Sequence, residues 1–524
     1  MNILIVYPQV AETFWSFKHA LRVVQRKSAF PPLGALTVAA LLPDAWQKRL
    51  VDMNVRGLRD EDLQWADYVF ISAMVAQWGS TRKVLDRCRK LGVKTVCGGP
   101  LFNSYREVFQ DADHLILGEG ELTVPRFVAD IENGTAQKQY EEHNRPPLDA
   151  TPIPRWDLID FSDYVSMGIQ YSRGCPFNCE FCDIIVLNGR VPRTKTNERM
   201  IAELDALYSR GWRGTVFIVD DNFIGNKVRV KSLLREIIAW QSRRKRQLNF
   251  FTEASVDLAE DEELMDLMAQ AGFNKVFMGI ETPSEDSLRE CGKSQNLKRS
   301  LADSVRIIQN HGLAVMGGFI IGFDSDPPDI FQRQVQFIQK TGIVTAMIGL
   351  LTAMPGTRLY KRLEEEGRLL FKCACNNTDP QESLNFIPKM DRETIINGYK
   401  WVMNTIYSPE MYYKRIMTFL QHYRPKTKFY LEKNDVLTFL RTFWYLGITD
   451  RKYTRNYYWR LLKNTFFKYR TAFSEVVCMA LYGYHFRKLF WSPRFKSELD
   501  KNSRPVTRGS GFGVRDSGFV TRGS

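Results

Sequence analysis

No stretch of this 524-residue chain approaches the roughly 18 consecutive apolar residues of a membrane-spanning helix. Its start, Met1-Asn-Ile-Leu-Ile-Val-Tyr-Pro, lacks a basic leader and carries too short an apolar run for a signal peptide. Cysteine is thinly used: nine residues, an odd number spread along the chain, which argues against a disulfide framework. A reducing, cytoplasmic location is expected, and it favours metal thiolates. No credible Ser/His/Asp set or carboxylate pair points to hydrolysis. Acidic residues run short near the C-terminus. From Asp391 onward there are 25 Lys+Arg against 10 Asp+Glu, which leaves 48 of the 73 and 49 of the 59 for residues 1–390. The basic excess therefore sits in the last quarter, and it points to lipid headgroups, nucleic acid or an acidic partner.

What is present is an alternation of short apolar strands and helical patterns. Strands are predicted at Asn2–Tyr7, Leu50–Met53, Tyr68–Ser72, Thr95–Cys97 and His114–Leu117, with helices at Pro32–Leu42 and Thr81–Leu91. Gly98-Gly99-Pro100 and Gly118-Glu119-Gly120-Glu121 end the last two strands, as expected of an open parallel sheet that binds a ligand beyond its carboxyl ends. Gln137–Pro154 is polar and proline-containing and reads as a linker. A second series follows, with strands at Met167–Tyr171, Thr215–Val219, Asn249–Thr252, Lys275–Ile280, Val315–Ile321 and Thr345–Leu351. The expected fold class is α/β: a Rossmann-like sheet domain (1–140), a linker (141–164), a partial (β/α)6 barrel (165–390) and a mainly helical basic, aromatic region (391–499). Residues 500–524, which repeat Val-Thr-Arg-Gly-Ser, are expected to be disordered.

Cys175, Cys179 and Cys182 form a C-x3-C-x2-C triplet just after the first strand of the second series. Three thiolates can hold three irons of a [4Fe-4S] cluster, leaving the fourth iron open, whereas an electron-transfer cluster is closed by four cysteines. The alternative is a zinc site whose fourth ligand lies elsewhere. Cys373-x-Cys375 is a candidate for an auxiliary metal, although such a pair in a polar loop is more often incidental. Glu253 and Glu281 close barrel strands on the face where barrels carry function. Asp220 and Asp221 end another strand, where acids also cap helices.

The triplet with Phe181 before its last cysteine, Val219-Asp-Asp-Asn-Phe223, Thr252-Glu-Ala-Ser255, Gly279-Ile-Glu-Thr-Pro283 and Gly317-Gly-Phe-Ile-Ile-Gly-Phe323 together resemble the radical S-adenosylmethionine (SAM) enzymes, in their cobalamin-binding branch. The stretches Thr13–Lys18, Ala29–Gly34, Gln170–Cys175, Gly322–Pro328 and Met354–Tyr360 resemble the hopanoid C-2 methylase group. The resemblance implies a [4Fe-4S] cluster on the three cysteines and SAM on its open iron, with contacts from Glu253, Glu281, Gly317 and Gly318. It implies cobalamin on the sheet domain, with Ser72, Ala73, Met74, Gly98, Gly99, Gly118 and Glu119 as contacts. The D-x-H-x-x-G signature of a histidine ligand to cobalt is missing; Asp52–Gly57 mimics its spacing with Asn54 for histidine, so the cobalamin is expected without a histidine ligand. The implied reaction methylates an unactivated carbon: one SAM supplies the methyl group through cobalamin, and a second supplies a deoxyadenosyl radical that removes hydrogen.

A small-molecule or lipid substrate and an electron donor such as flavodoxin or ferredoxin are implied as partners. The Arg/Lys-plus-aromatic helices after residue 410 fit two roles, a peripheral contact at the inner face of the membrane or the core of a helical cap. Nucleic acid is the less favoured partner. The competing functions are a methylthiotransferase-like enzyme acting on RNA and a non-enzymatic cobalamin-binding sensor or membrane adaptor.

Overall fold

The computed structural model describes residues 1–370, 383–426 and 433–491. Cys373, Cys375 and the repeat tail lie outside them. The N-terminal sheet has six parallel strands: β1 Asn2–Tyr7, β2 Gln47–Asp52, β3 Tyr68–Ser72, β4 Lys94–Gly98, β5 His114–Leu117 and β6 Gln139–Glu141, in the order β2-β1-β3-β4-β5-β6. β1 is buried on both faces (Ile3, Leu4, Ile5 and Val6), as a continuous apolar run in a helix-covered parallel sheet should be. The expected linker needs correction: its Gln139–Glu141 is a strand on β5. Only Tyr140 of that strand is buried, so it has no apolar alternation to announce it. The chain then crosses to the second unit through short 3-10 turns anchored by buried Leu148 and Trp156.

The second sheet is also six-stranded and parallel: β7 Ser166–Ile169, β8 Thr215–Ile218, β9 Asn249–Glu253, β10 Phe273–Glu281, β11 Ala314–Ile321 and β12 Ala346–Leu350, ordered as in sequence from β7 to β12. Helices cover its outer face, where Val216, Ile218, Phe250, Val276 and Met278 are buried. The opposite face holds Phe217, Phe251, Glu253, Phe277 and Gly318, by the alternation of side chains along each strand. This is the expected partial barrel. Its open edge at β7 is continued by the segment after the first helix: the amides of Val165 and Ser166 donate to the carbonyls of Ser28 and Ala29. Phe30 thereby reaches the inner face, 5.5 Å from the ring of Phe217.

The C-terminal helices, Arg392–Ile406, Pro409–His422, Lys433–Thr442, Lys452–Lys468 and Phe473–Phe490, pack on the β12 side of the barrel and on each other. Arg415 is fully buried there and donates to the carbonyls of Ile406 and Val344. The N-terminal excursion Thr13–Val24 reaches the same helices: Phe14 stacks on Phe486 with centroids 4.3 Å apart. Among the described residues no helix is long and apolar enough to cross a membrane.

Candidate functional site

The cysteine triplet occupies the loop that leaves β7, and the strand-end motif after β8 builds that loop. The buried carboxylate of Asp220 accepts from the backbone amides of Tyr171 (2.7 Å) and Ser172 (2.8 Å) and from the Ser172 hydroxyl (2.6 Å). Burial pushes its carboxyl up to about 7, against the pull of those donors. Asp221 accepts from the amide of Gly174 and the side chain of Asn188, both at 2.9 Å. These acids therefore brace the backbone on both sides of Arg173 rather than capping a helix. Asn222 places its amide nitrogen 3.9 Å from the Cys175 sulfur. On the other flank Gln295 points its amide nitrogen at the Cys179 sulfur, also at 3.9 Å. Glu180, between the cysteines, accepts from Arg362 at 2.6 Å, and Arg358 donates to the Asn178 carbonyl at 3.2 Å. Both arginines belong to the helix Arg358–Glu365, which begins in the Met354–Tyr360 stretch and locks the outside of the loop.

Burial raises all three thiols above the ordinary cysteine range, Cys182 to about 12. They are therefore protonated until a metal displaces the protons. A single zinc ion would draw its sulfurs to within about 4 Å of one another. Among the described residues only Glu262, Asp266 and His311 bring three ligand atoms within 4.8 Å. The three cysteine sulfurs are not gathered that closely.

Glu253 ends β9 on the inner face. Burial lifts its carboxyl to about 8, with Asp221 and Asp220 adding to the effect. Glu281 ends β10 with a left-handed backbone (φ 64), an unusual conformation for a non-glycine residue and a sign of local constraint. Its carboxylate is ion-paired with Lys293, and both side chains are buried. Although burial works against the Lys293 charge, Glu281 and Cys179 hold its pKa above the ordinary lysine value. Sequence reasoning missed Lys293, since nothing local predicts that it folds back onto the strand end. Gly317 and Gly318 fall on opposite faces of β11. A Cβ on Gly318 would lie 3.0 Å from the Phe277 ring on the inner face, whereas one on Gly317 would meet Phe319 and Ile343.

Between the sheet domain and the barrel lies a cavity of about 750 Å³. Ser72, Ala73, Met74, Gly98, Gly99, Gly118 and Glu119 all line it from the sheet, and Gln170, Arg173 and Ile184 from the cysteine-loop side. Two of these glycines are obligatory. Gly99 (φ 99) and Gly118 (φ 81) would put a Cβ 3.0 Å from the Ala73 carbonyl and 2.5 Å from the Glu142 carbonyl. The Glu119 carboxylate is engaged by Arg173 at 2.6 Å and by Arg193. Arg173 also pairs with Glu121 at 2.8 Å. Asn54, the histidine look-alike, donates to Asp52 and accepts from the amide of Val10. His143 is the histidine that reaches the cavity rim, and its ring is largely exposed.

Residues 20–128 match the B12-binding domain, residues 169–338 the radical SAM superfamily, and residues 357–496 a domain of unknown function (DUF4070). A hopanoid C-2 methylase from Rhodopseudomonas palustris is 36% identical, over 79% of this chain and 78% of its own. An uncharacterized methyltransferase from Synechocystis is 46% identical, over 82% of this chain and 80% of its own. The chain belongs to the cobalamin-binding radical SAM methyltransferases. It shares the fold of the cobalamin-dependent SAM radical enzyme OxsB (TM-score 0.59, 13% identity, 95% of this chain and 81% of that one). The radical SAM methyltransferase TsrM from Kitasatospora setae matches with TM-score 0.55 and 16% identity, over 70% and 76% of the two chains.

A radical SAM enzyme of this branch uses a [4Fe-4S] cluster, SAM and cobalamin. The residues present fit them. Amide groups of Asn222 and Gln295 aimed at two cysteine sulfurs, with the Lys293 cation close by, are what electron-rich cluster sulfurs need from their surroundings. The cavity opens between the sheet's carboxyl ends and the cysteine loop, so a ligand held there borders both domains.

Proposed function

We propose that this enzyme methylates an unactivated carbon of a hopanoid-type lipid at C-2, using Cys175, Cys179 and Cys182 as the cluster ligands. The observation that carries the substrate reading is the inner face of the barrel. Phe30, Phe217, Phe251, Phe277 and Trp15 line it within ring-contact distances of 4.5–6.1 Å, and all five are only partly buried. Aromatic rings that remain accessible inside a barrel suit a rigid apolar substrate and exclude water from its reacting carbon.

Bound in these places, the cluster, SAM and corrinoid supply hydrogen abstraction and a transferable methyl group. The chain's own residues position them. Glu253 and Gly318, on the inner face, would hold SAM there. The Glu281–Lys293 pair holds the strand end beside Cys179, and Gly317 acts through packing alone. Ser72, Ala73, Met74, Gly98, Gly99 and Gly118, which line the cavity, would give a corrin ring close backbone approach. Glu119 acts through Arg173. A one-electron donor of the flavodoxin or ferredoxin class would supply the electron that the cluster needs. The RNA-modifying alternative is less well supported, because the inner face presents aromatic rings rather than cations for a phosphate backbone. Membership of a methyltransferase family sets the adaptor reading aside.

Lipid extracts of a hopanoid-producing host lacking this activity, expressing the chain, test the substrate. A hopanoid carrying one additional methyl group on the A ring is expected. Unchanged hopanoids with a methylated compound of another class would reject the lipid while leaving the chemistry in place.

A further inference from the structure

The C-terminal helices divide their aromatic residues between two environments. Tyr407, Tyr412, Tyr413, Tyr458 and Phe486 are core. Leu437, Leu440, Trp444 and Ile448 are exposed, and their spacing places them along one side of the continuous helical segment 433–448. Trp444 is 56% exposed and Leu440 54%. The helix Lys452–Lys468 extends this face. Its Trp459 donates to the Gly447 carbonyl at 3.1 Å and packs edge-on against Phe443. At the other end Phe466 and Phe467 are exposed, the latter by 66%. Phe466 is linked through Phe473 to Phe439, so the two helices share one apolar surface.

The same surface is cationic. Residues 433–468, which form it, hold eight Lys+Arg and two Asp+Glu, and one of those acids, Asp450, is paired internally with Arg487. The helix Lys452–Lys468 carries Lys452, Arg455, Arg460, Lys463 and Lys468 and no carboxylate, and none of the five is ion-paired among the described residues. Arg455 donates to the carbonyl of Ile448, and Arg470 lies over the ring of Phe466. Cations therefore border the apolar stripe at both ends. A protein partner would need a matching acidic rim around an apolar groove. An anionic bilayer offers negative charge at the headgroups and an apolar layer just below them.

We propose that the surface formed by segment 433–448 and the helix Lys452–Lys468 docks the enzyme on an anionic membrane. The tryptophan and phenylalanine rings enter the headgroup layer and the cations contact phosphates. This gives the DUF4070 region a function that its description leaves open. The inference deepens the lipid-substrate reading, but it rests on residues remote from the cysteine loop, so the two can fail separately.

The test is flotation of the full-length holoenzyme with phosphatidylglycerol-containing vesicles and with pure phosphatidylcholine vesicles. Wild type should float with the former, and salt should weaken it. Each cation near an anionic surface contributes about fivefold in partition, so K452Q/R460Q/K463Q should lose about a hundredfold and most of the preference for anionic lipid. L440S/W444S/F467S should lose binding to both vesicle types. Iron content and SAM cleavage should be unchanged in both variants, which shows that they fold. Wild-type binding that ignores lipid charge, or either variant binding like wild type, would overturn the proposal. So would a wild-type dimer that L440S/W444S/F467S turns into monomers without altered flotation. Loss of flotation with normal methylation of detergent-dispersed lipid supports docking independently of the substrate. Normal flotation with no hopanoid methylation would leave docking standing and reject the substrate.

Discussion

Arg173, two residues before Cys175, places its guanidinium 2.6 Å from the carboxylate of Glu119 at the end of the fifth strand of the B12-binding domain's sheet. It also reaches Glu121 at 2.8 Å, and all three side chains are nearly buried. One cation thus fastens the cysteine loop to the B12-binding domain. Removing one member of a buried ion network leaves the others uncompensated, which costs about 3–5 kcal/mol. Arg173→Met should therefore lower the melting temperature and release corrinoid on gel filtration. The triple variant Arg173→Met/Glu119→Gln/Glu121→Gln should recover part of the stability without recovering methyl transfer. A single variant as stable and as corrinoid-loaded as wild type would refute the coupling.

The brace on the cysteine loop predicts a different failure. Asp220→Ala removes the acceptor for two backbone amides and one hydroxyl. Reconstituted protein should then hold well under half of the roughly four irons per chain expected of a [4Fe-4S] cluster. Cys179→Ala should abolish SAM cleavage outright.

Asn222, by contrast, is expected to act on the cluster's electronics. Asn222→Ala withdraws a donor from the Cys175 sulfur. Iron content should hold, while the cluster's reduction potential, read by an EPR-monitored titration, moves to more negative values. An unchanged potential would mean that the 3.9 Å contact has no electronic consequence.

Glu253 predicts a pH effect. Its carboxyl is lifted by burial to about 8 in the fold, against about 4.3 in an unfolded chain. Between those values the native state keeps a proton that the unfolded state has lost, so this group's contribution to stability falls as pH rises through that window. Glu253→Gln removes the penalty. Thermal denaturation of the cluster-free protein should show the variant gaining on wild type at pH 8, on the order of 1 kcal/mol or more, and gaining little at pH 5. An equal difference at both values would show that Glu253 is ionised throughout.

The exposed ring of His143 at the cavity rim predicts a null result. His143→Ala should leave the absorbance spectrum of bound hydroxocobalamin unchanged. A shift would mean that His143 ligates cobalt.

The sequence made the strands legible wherever they are buried on both faces. Asn2–Tyr7 and His114–Leu117 have the predicted bounds because their apolar runs end at Pro8 and Gly118, and Tyr68–Ser72 also has the predicted bounds. The sixth strand, Gln139–Glu141, was hidden because an edge strand with one buried tyrosine carries no periodicity. The helix Gly120–Glu132 was masked by Pro125. The cysteine triplet stood out in the sequence by its spacing, which left a zinc site open beside a cluster. The groups around it did not: Lys293, Gln295 and Arg362 arrive from distant elements, and Arg173, although adjacent in sequence, finds its partners Glu119 and Glu121 on the other sheet. The C-terminal aromatics show the same limit: Tyr412 is core and Trp444 is surface in the same composition, and only packing separates them.

The central claim is methyl transfer to an inert carbon, and labelled methyl groups test it most directly. Anaerobically reconstituted enzyme with hydroxocobalamin, a reductant, methyl-deuterated SAM and a hopanoid substrate should yield a product heavier by one deuterated methyl group, with deoxyadenosine formed alongside. Cys182→Ala should yield neither. Deoxyadenosine formed in a corrinoid-loaded enzyme, with no labelled methyl on any carbon of the substrate, would contradict the account.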